Sequence, residues 1–277
     1  MGFELGALLG AFDGSQSFET LNSWDVTSLN PAWTAINTDS LTHSSGLGMV
    51  IVNSNGATSY VKYNYTTSDD VMNRWMTDVN THRIVSYFWE SHSSANLSYP
   101  SGVRVTVGSE LLSFGNSSSI TMQRHRIETF INSSSTFQFE IAITPLSVDR
   151  CEIYFDDILT TIDPITLHPE WDLKLKDELF MVDHQTIGGA NPSYVWGFNK
   201  KWEVLLEHIE ENEARLLNQW WQDMRPLLFT SDTSDYTQQF IVTMTNKETP
   251  MNNLSRIYHD EWKGTLELSA YNTSLVF

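Results

Sequence analysis

A chain of 277 residues with 34 acidic against 16 basic residues, a formal net charge of -18, is well above the size at which a core needs disulfides or a metal to hold it. That charge excludes a basic phosphate-binding patch and disfavours an anionic membrane surface, so neither nucleic-acid recognition nor membrane insertion is expected. The single cysteine, Cys151, rules out an internal disulfide framework and a cysteine-ligated zinc site, and no apolar run approaches the roughly 18 residues of a membrane helix.

The start, Met1-Gly2-Phe3-Glu4, lacks the positive flank of a secretion signal, and the apolar stretch 5–12 is too short for a signal core or a membrane span. Strands are predicted at 47–53, 59–65, 83–90, 103–107, 120–131, 136–144 and 152–159, all rich in β-branched and aromatic residues. The clearest alternation sets Phe137, Phe139, Ile141 and Ile143 on one face and Gln138, Glu140 and Ala142 on the other. Asn, Ser and Gly clusters at 53–56, 98–102, 115–119 and 132–135 supply turns between them. Many short strands without a helix predict a β-sandwich, a jelly roll.

A seam follows at 162–169, where Pro164 and Pro169 would stiffen a linker and end strand pairing. Composition changes there too. Of the 31 serines, 25 precede residue 150, and net charge is -6 before it and -12 after it. In the second half, Tyr194, Trp196 and Phe198 share one face of a strand over 194–207. A helical period then takes over from Glu207 to Met224, with Ile209, Leu216, Leu217, Trp220, Trp221 and Met224 on one stripe and Glu210, Glu211 and Glu213 near the positive end of the dipole. Arg225-Pro226 stops it, and strands at 238–245 and 256–271 follow, the last turning Leu266, Leu268 and Ala270 inward. The expected architecture is mainly β: a sandwich over 12–162, then a smaller α+β module over 163–277 with one helix packed on an antiparallel sheet.

Phe18-Glu19, Trp24, the element His43-Ser44-Ser45-Gly46-Leu47 entering a strand, and the closing strand Tyr154-Phe155-Asp156-Asp157-Ile158 resemble the carbohydrate-binding-module type of jelly roll. That resemblance covers 12–162. It implies a structural calcium ion near Glu19, Gly46, Asp156 and Asp157, where the first and last strands meet and oxygen ligands suit a hard cation. It also implies that Trp33, Trp75 and Trp89 are candidate platforms for a sugar ring, Trp75 being in the most polar surroundings.

Lys201-Trp202-Glu203-Val204, the acidic helix 213–221, Pro226-Leu227-Leu228-Phe229-Thr230-Ser231-Asp232, Gln239-Phe240-Ile241-Val242 and Gly264-Thr265-Leu266-Glu267-Leu268 look like a module recurrent in bacteriophage tail, baseplate and neck proteins. The chain departs from that pattern in its long connection 246–254 and in carrying two tryptophans where one aromatic is usual. The resemblance implies copies of the chain joined in a ring with other virion proteins, in the virion and, during assembly, the host cytoplasm. Trp220 and Trp221, about 100° apart on a helix, offer one core residue and one interface residue.

The eight histidines are scattered, with no His-Glu-x-x-His helix and no Gly-x-Ser-x-Gly elbow. Asp156-Asp157 and Glu210-Glu211 are sequence neighbours that read as surface charge rather than a glycosidase pair. The expectation is a non-enzymatic virion structural protein whose sandwich decorates the assembly or contacts host-surface glycan. The alternative is a secreted or surface carbohydrate-binding protein.

Overall fold

The computed structural model describes residues 2–12, 33–38, 40–44, 48–53, 56–65, 81–92, 102–114, 121–132, 137–145, 151–167, 174–183, 193–253 and 262–270. The chain is mainly β and antiparallel, and it divides into two compact units, Leu8–Pro164 and Met1–Ala7 with Ile165–Phe277. The expected boundary after residue 162 therefore moves to 164, and the first seven residues join the C-terminal unit.

The Leu8–Pro164 unit is a β-sandwich of jelly-roll type. One sheet contains β3 (Ser40–Ser44), β4 (Gly48–Asn53), β6 (Thr81–His92), β9 (Gln123–Asn132) and β11 (Cys151–Leu167), in the order β9-β6-β11-β4-β3. The other is ordered β2 (Trp33–Ile36), β5 (Ser59–Tyr65), β10 (Phe137–Ile143), β7 (Val103–Val107), β8 (Glu110–Phe114). Period-two alternation decides which side each strand buries. Phe137, Phe139, Ile141 and Ile143 are buried as their alternation predicts, opposite Val61, Tyr63, Val103, Val105 and Val107 on the flanking strands. Phe88 of β6 meets Phe139 edge-on at 5.9 Å and Phe155 at 5.8 Å, so these rings join the two sheets. Each such ring contributes about 1.5–3 kcal/mol through burial.

Three strands of this unit, β2, β3 and β8, lie outside the predicted set. The stretch read as entering a single strand is two strands, β3 and β4, with Ser44 paired to Gly48. The proline seam is not a linker either. β11 continues through Pro164 to Leu167, and only its pairing with β6 stops, at Ile162 opposite Ile84. Asp163 takes a left-handed φ of 47° there, an irregularity that lets a proline sit in a strand.

In the second unit the start of β1 (Phe3–Phe12) pairs with β14 (Leu227–Thr230), and the order is β12 (Lys174–Asp183), β13 (Ser193–Ile209), β17 (Trp262–Ala270), β15 (Gln239–Met244), β14, β1, with β16 (Met251–Asn253) on β17. Phe3, Trp202 and Phe240 cluster with Phe229, or with one another, at 4.9–5.5 Å between ring centres. Among the described residues there is one helix, α1 (Glu211–Gln222), which buries Ala214, Leu217 and Trp220. β13 runs to Ile209, so the helix begins later than the periodicity suggested.

Met224, expected on the buried stripe, is 84% exposed. The helix has ended before it. Arg225 N–H donates to the Trp220 carbonyl and Met224 N–H to that of Trp221, both at 3.1 Å, the Schellman pattern with Met224 at φ 49° where glycine is usual. No described helix is long and apolar enough to cross a membrane.

Candidate functional site

The outward row of β9 is Arg124, Arg126, Glu128 and Phe130, since Ile127, Thr129 and Ile131 between them are buried. Antiparallel register sets these residues beside Trp89, Tyr87, Val85 and Arg83 of β6 in turn. Three of the seven basic residues in the first 150 therefore converge on two adjacent strands. Long guanidinium side chains then lie down over the aromatic rings. The Arg124 guanidinium is 5.5 Å from the Trp89 ring centre and 5.9 Å from that of Tyr87, and Arg126 covers Tyr87 at 5.9 Å. Tyr87 is fully buried beneath them, whereas Trp89 stays half-buried.

A charge network continues from that stack. Arg83 grips Glu128 with two hydrogen bonds, Nε to Oε1 at 2.8 Å and Nη2 to Oε2 at 3.1 Å, and Arg126 Nη2 donates to Oε2 at 2.6 Å. The hydrogen bonds from Arg83 outweigh the opposing effect of burial and, with those from Arg126, hold the Glu128 carboxyl down at about 2. Arg83 Nη1 also donates to the Pro164 carbonyl at 2.9 Å. The result is a strip with an aromatic at one end, a fixed array of donors and an ionised acceptor in the middle, and Phe130, 62% exposed, at the other end.

The outward face of the second sheet differs. Lys62 pairs with Glu140 at 2.5 Å, Gln138 Nε2 donates to Asn64 Oδ1 at 2.6 Å, and Lys62 lies 5.1 Å over the Tyr60 ring. This is a cross-strand polar ladder.

Two histidine clusters escaped the sequence reading. On the inward row of β6, Glu90 and His92 are buried, their carboxylate and Nδ1 2.7 Å apart, with His125 Nε2 3.8 Å from the other Glu90 oxygen. Burial pushes the Glu90 carboxyl up, but the attraction of the neighbouring His125 and His92 more than offsets it and the net shift is downward. Buried His82 holds Asp163 Oδ2 at 2.6 Å through Nδ1, and Asp163 Oδ1 accepts the Arg83 N–H at 2.9 Å. An acid two residues after Phe88 on a strand of period two was the available signal, because a carboxylate on the buried parity demands partners.

Trp89 is the one predicted sugar platform that the structure places with its side chain, on the outward row. Trp75, Glu19 and Gly46 lie outside the described residues. Trp33 pairs through its backbone with Tyr63, and Asp157 stands at the register shift between Asp156 and Leu159; the side chains of both lie outside the described set. Asp156 is half-buried opposite Trp89. Among the described residues no set of three His, Cys, Asp or Glu side chains is arranged to hold a metal ion. Trp220 is fully buried and takes the core place of the pair, within its own unit. Trp221 is half-buried and donates from Nε1 to the Asn246 carbonyl at 2.9 Å.

No family model matches the chain, and no curated protein does. Among solved structures, a family 4 carbohydrate-binding module is similar at 17% identity, over 48% of this chain and 95% of that one, with a TM-score of 0.32. A family 16 carbohydrate-binding module is similar at 12% identity, over 47% and 85%, with a TM-score of 0.30. The binding domain of botulinum neurotoxin DC, solved in complex with rat synaptotagmin II, is similar at 8% identity, over 97% and 95%, with a TM-score of 0.30. At identities and TM-scores this low, the fold stands on the strand pairing and the site on its own geometry.

Proposed function

We propose that the chain is a non-enzymatic saccharide-binding protein that takes a glycan, such as one on a host surface, on the outward face of β6 and β9. The observation that carries this reading is the half-buried Trp89, held on a strand with Arg124 stacked on it and the Arg83–Glu128–Arg126 network beside it. A sugar ring presents an apolar face that packs on an aromatic, and hydroxyls that need both donors and acceptors. The strip offers both, with geometry set before any ligand arrives. A guanidinium has five N–H donors and a carboxylate about four lone-pair sites, so hydroxyls can bond at the positions that the network leaves over without breaking it.

A glycan array probed with the full chain, followed by calorimetric titration, tests the reading. Trp89→Ala is expected to weaken the leading saccharide about tenfold, while Lys62→Ala on the other sheet leaves it unchanged. Silence across the array, or equal effects from the two variants, would remove this face as the site.

A second reading, the ring-forming virion brick that works with other virion proteins, draws on one observation. Among the described residues, 193–200 of β13 pair with β12 alone, and β17 joins only from Lys201 onward. A two-stranded ribbon is marginal by itself, so a neighbouring copy would stabilise it. Light scattering decides: a monomer at every concentration would dispose of the ring.

A further inference from the structure

The geometry points to a second saccharide subsite in the groove beside Phe130, so that the ligand is an oligosaccharide chain lying lengthwise along β9 rather than a single sugar. This rests on the glycan-binding reading above and extends it past the end of that face, round Phe130 to the edge of the sandwich where β9 meets the turn between β7 and β8.

Three observations lead there. The first is the exposed ring itself. β9 pairs with β6 alone among the described residues, and an aromatic left 62% exposed on an edge strand invites aggregation unless it serves a contact. The second is a cavity of about 380 Å³ beside that ring, within the range of small-molecule sites. It is lined by the buried Ile131 and Phe137 and by Gly108, Ser109, Asn132 and Gln138, the last three being residue types that offer sugar hydroxyls donors and acceptors.

The groove is also built in advance. Gly108 N–H donates to the Gln138 carbonyl at 3.1 Å, tying the turn between β7 and β8 to β10. Gly108 stands at φ 59°, and a Cβ there would lie 3.1 Å from Thr129 Oγ1, so glycine lets this turn approach β9.

The third observation is alignment. Phe130 and Arg124 are six residues apart and of the same parity, so both face outward on one strand, roughly 20 Å apart at strand rise. No single sugar ring covers that span. Between the ends lies the Arg83–Glu128–Arg126 network, which carries both signs of charge and therefore suits hydroxyls along a neutral chain.

The test titrates the full chain with β-linked glucan, xylan and mannan oligosaccharides, from disaccharide to hexasaccharide. Affinity is expected to rise with length. Phe130→Ala should cost about tenfold against the hexasaccharide and nothing against the disaccharide, Phe130→Tyr should keep the wild-type profile, and Trp89→Ala should weaken both lengths. A Phe130→Ala protein that binds the hexasaccharide as tightly as wild type, with Trp89→Ala still impaired, overturns the subsite and leaves the face standing. Length-independent affinity overturns the subsite as well. Wild-type protein that binds no member of the series overturns the subsite and its premise together.

Discussion

Polar side chains are employed differently in the two units. In the sandwich, the outward residues of β6 and β9 bond to one another: guanidinium to carboxylate, guanidinium to phenol, guanidinium over indole. Around α1, β16 and β17 of the C-terminal unit, polar side chains bond to backbone. Asn218 of α1 donates to the Met251 carbonyl and accepts its N–H, both at 3.0 Å. Asn246 donates to the Thr265 carbonyl at 2.7 Å and accepts the Glu267 N–H at 3.0 Å, while Trp221 reaches the Asn246 carbonyl. Helix, connection and β17 are thus fastened by bonds that no ligand could replace without exposing main-chain groups. A side-chain network over aromatic rings can exchange partners; a side-chain to backbone lock cannot. On the proposed function, that difference puts recognition on the first unit and scaffolding on the second.

The strongest way to break this contrast is Gly264→Ala. A Cβ at Gly264 would stand 1.8 Å from the Pro250 carbonyl oxygen and 2.8 Å from its carbon, so β16 must move off β17. The expected loss is roughly 3 kcal/mol in urea unfolding, with the outward face of β6 and β9 intact. A variant as stable as wild type would show that the lock is loose.

A smaller effect is expected from Glu128→Gln. The carboxyl sits at about 2 in the folded chain against an ordinary 4.5, so its ionised form favours the fold. A lowered value contributes stability that is fully present above 4.5 and is lost as pH falls towards 2, and the downward shift of Glu90 adds in the same sense. Glu128→Gln should cost about 1 kcal/mol at neutral pH after solvent screening and flatten the acid limb of the urea midpoint. Parallel pH curves for the two proteins would contradict the network as drawn.

Met224→Gly is the smallest effect and has the opposite sign. Relief of the left-handed φ at an 84% exposed side chain should raise stability by roughly 0.5–1 kcal/mol, read as a higher melting temperature. A fall would mean that the methionine makes a contact worth more than the strain.

Alternation was enough to assign the faces of β10, because a strand with one buried side repeats every second residue whatever its neighbours are. The same rule fails at Pro164, where the local preference to end a strand is overridden by Asp163 anchored on His82 and Arg83, residues some 80 positions away. It fails again at Met224, which shares the helical period but lies beyond the last helical residue. Trp89 could be picked out as an aromatic candidate from the chain alone; Arg83, Arg124, Arg126 and Phe130 could not, because they become its neighbours only through cross-strand register.

The composition, a net charge of -18 with the hydroxyl surplus in the first half, determined by itself that acids outnumber bases two to one and that its two halves differ in make-up. Those properties are sums over residues, and folding leaves sums unchanged. Where the few positive charges gather was decided only by the tertiary structure. Pairing β6 with β9 collects three of them on one face, two of which lie over aromatic rings, and register is a relation between distant segments that no local window contains.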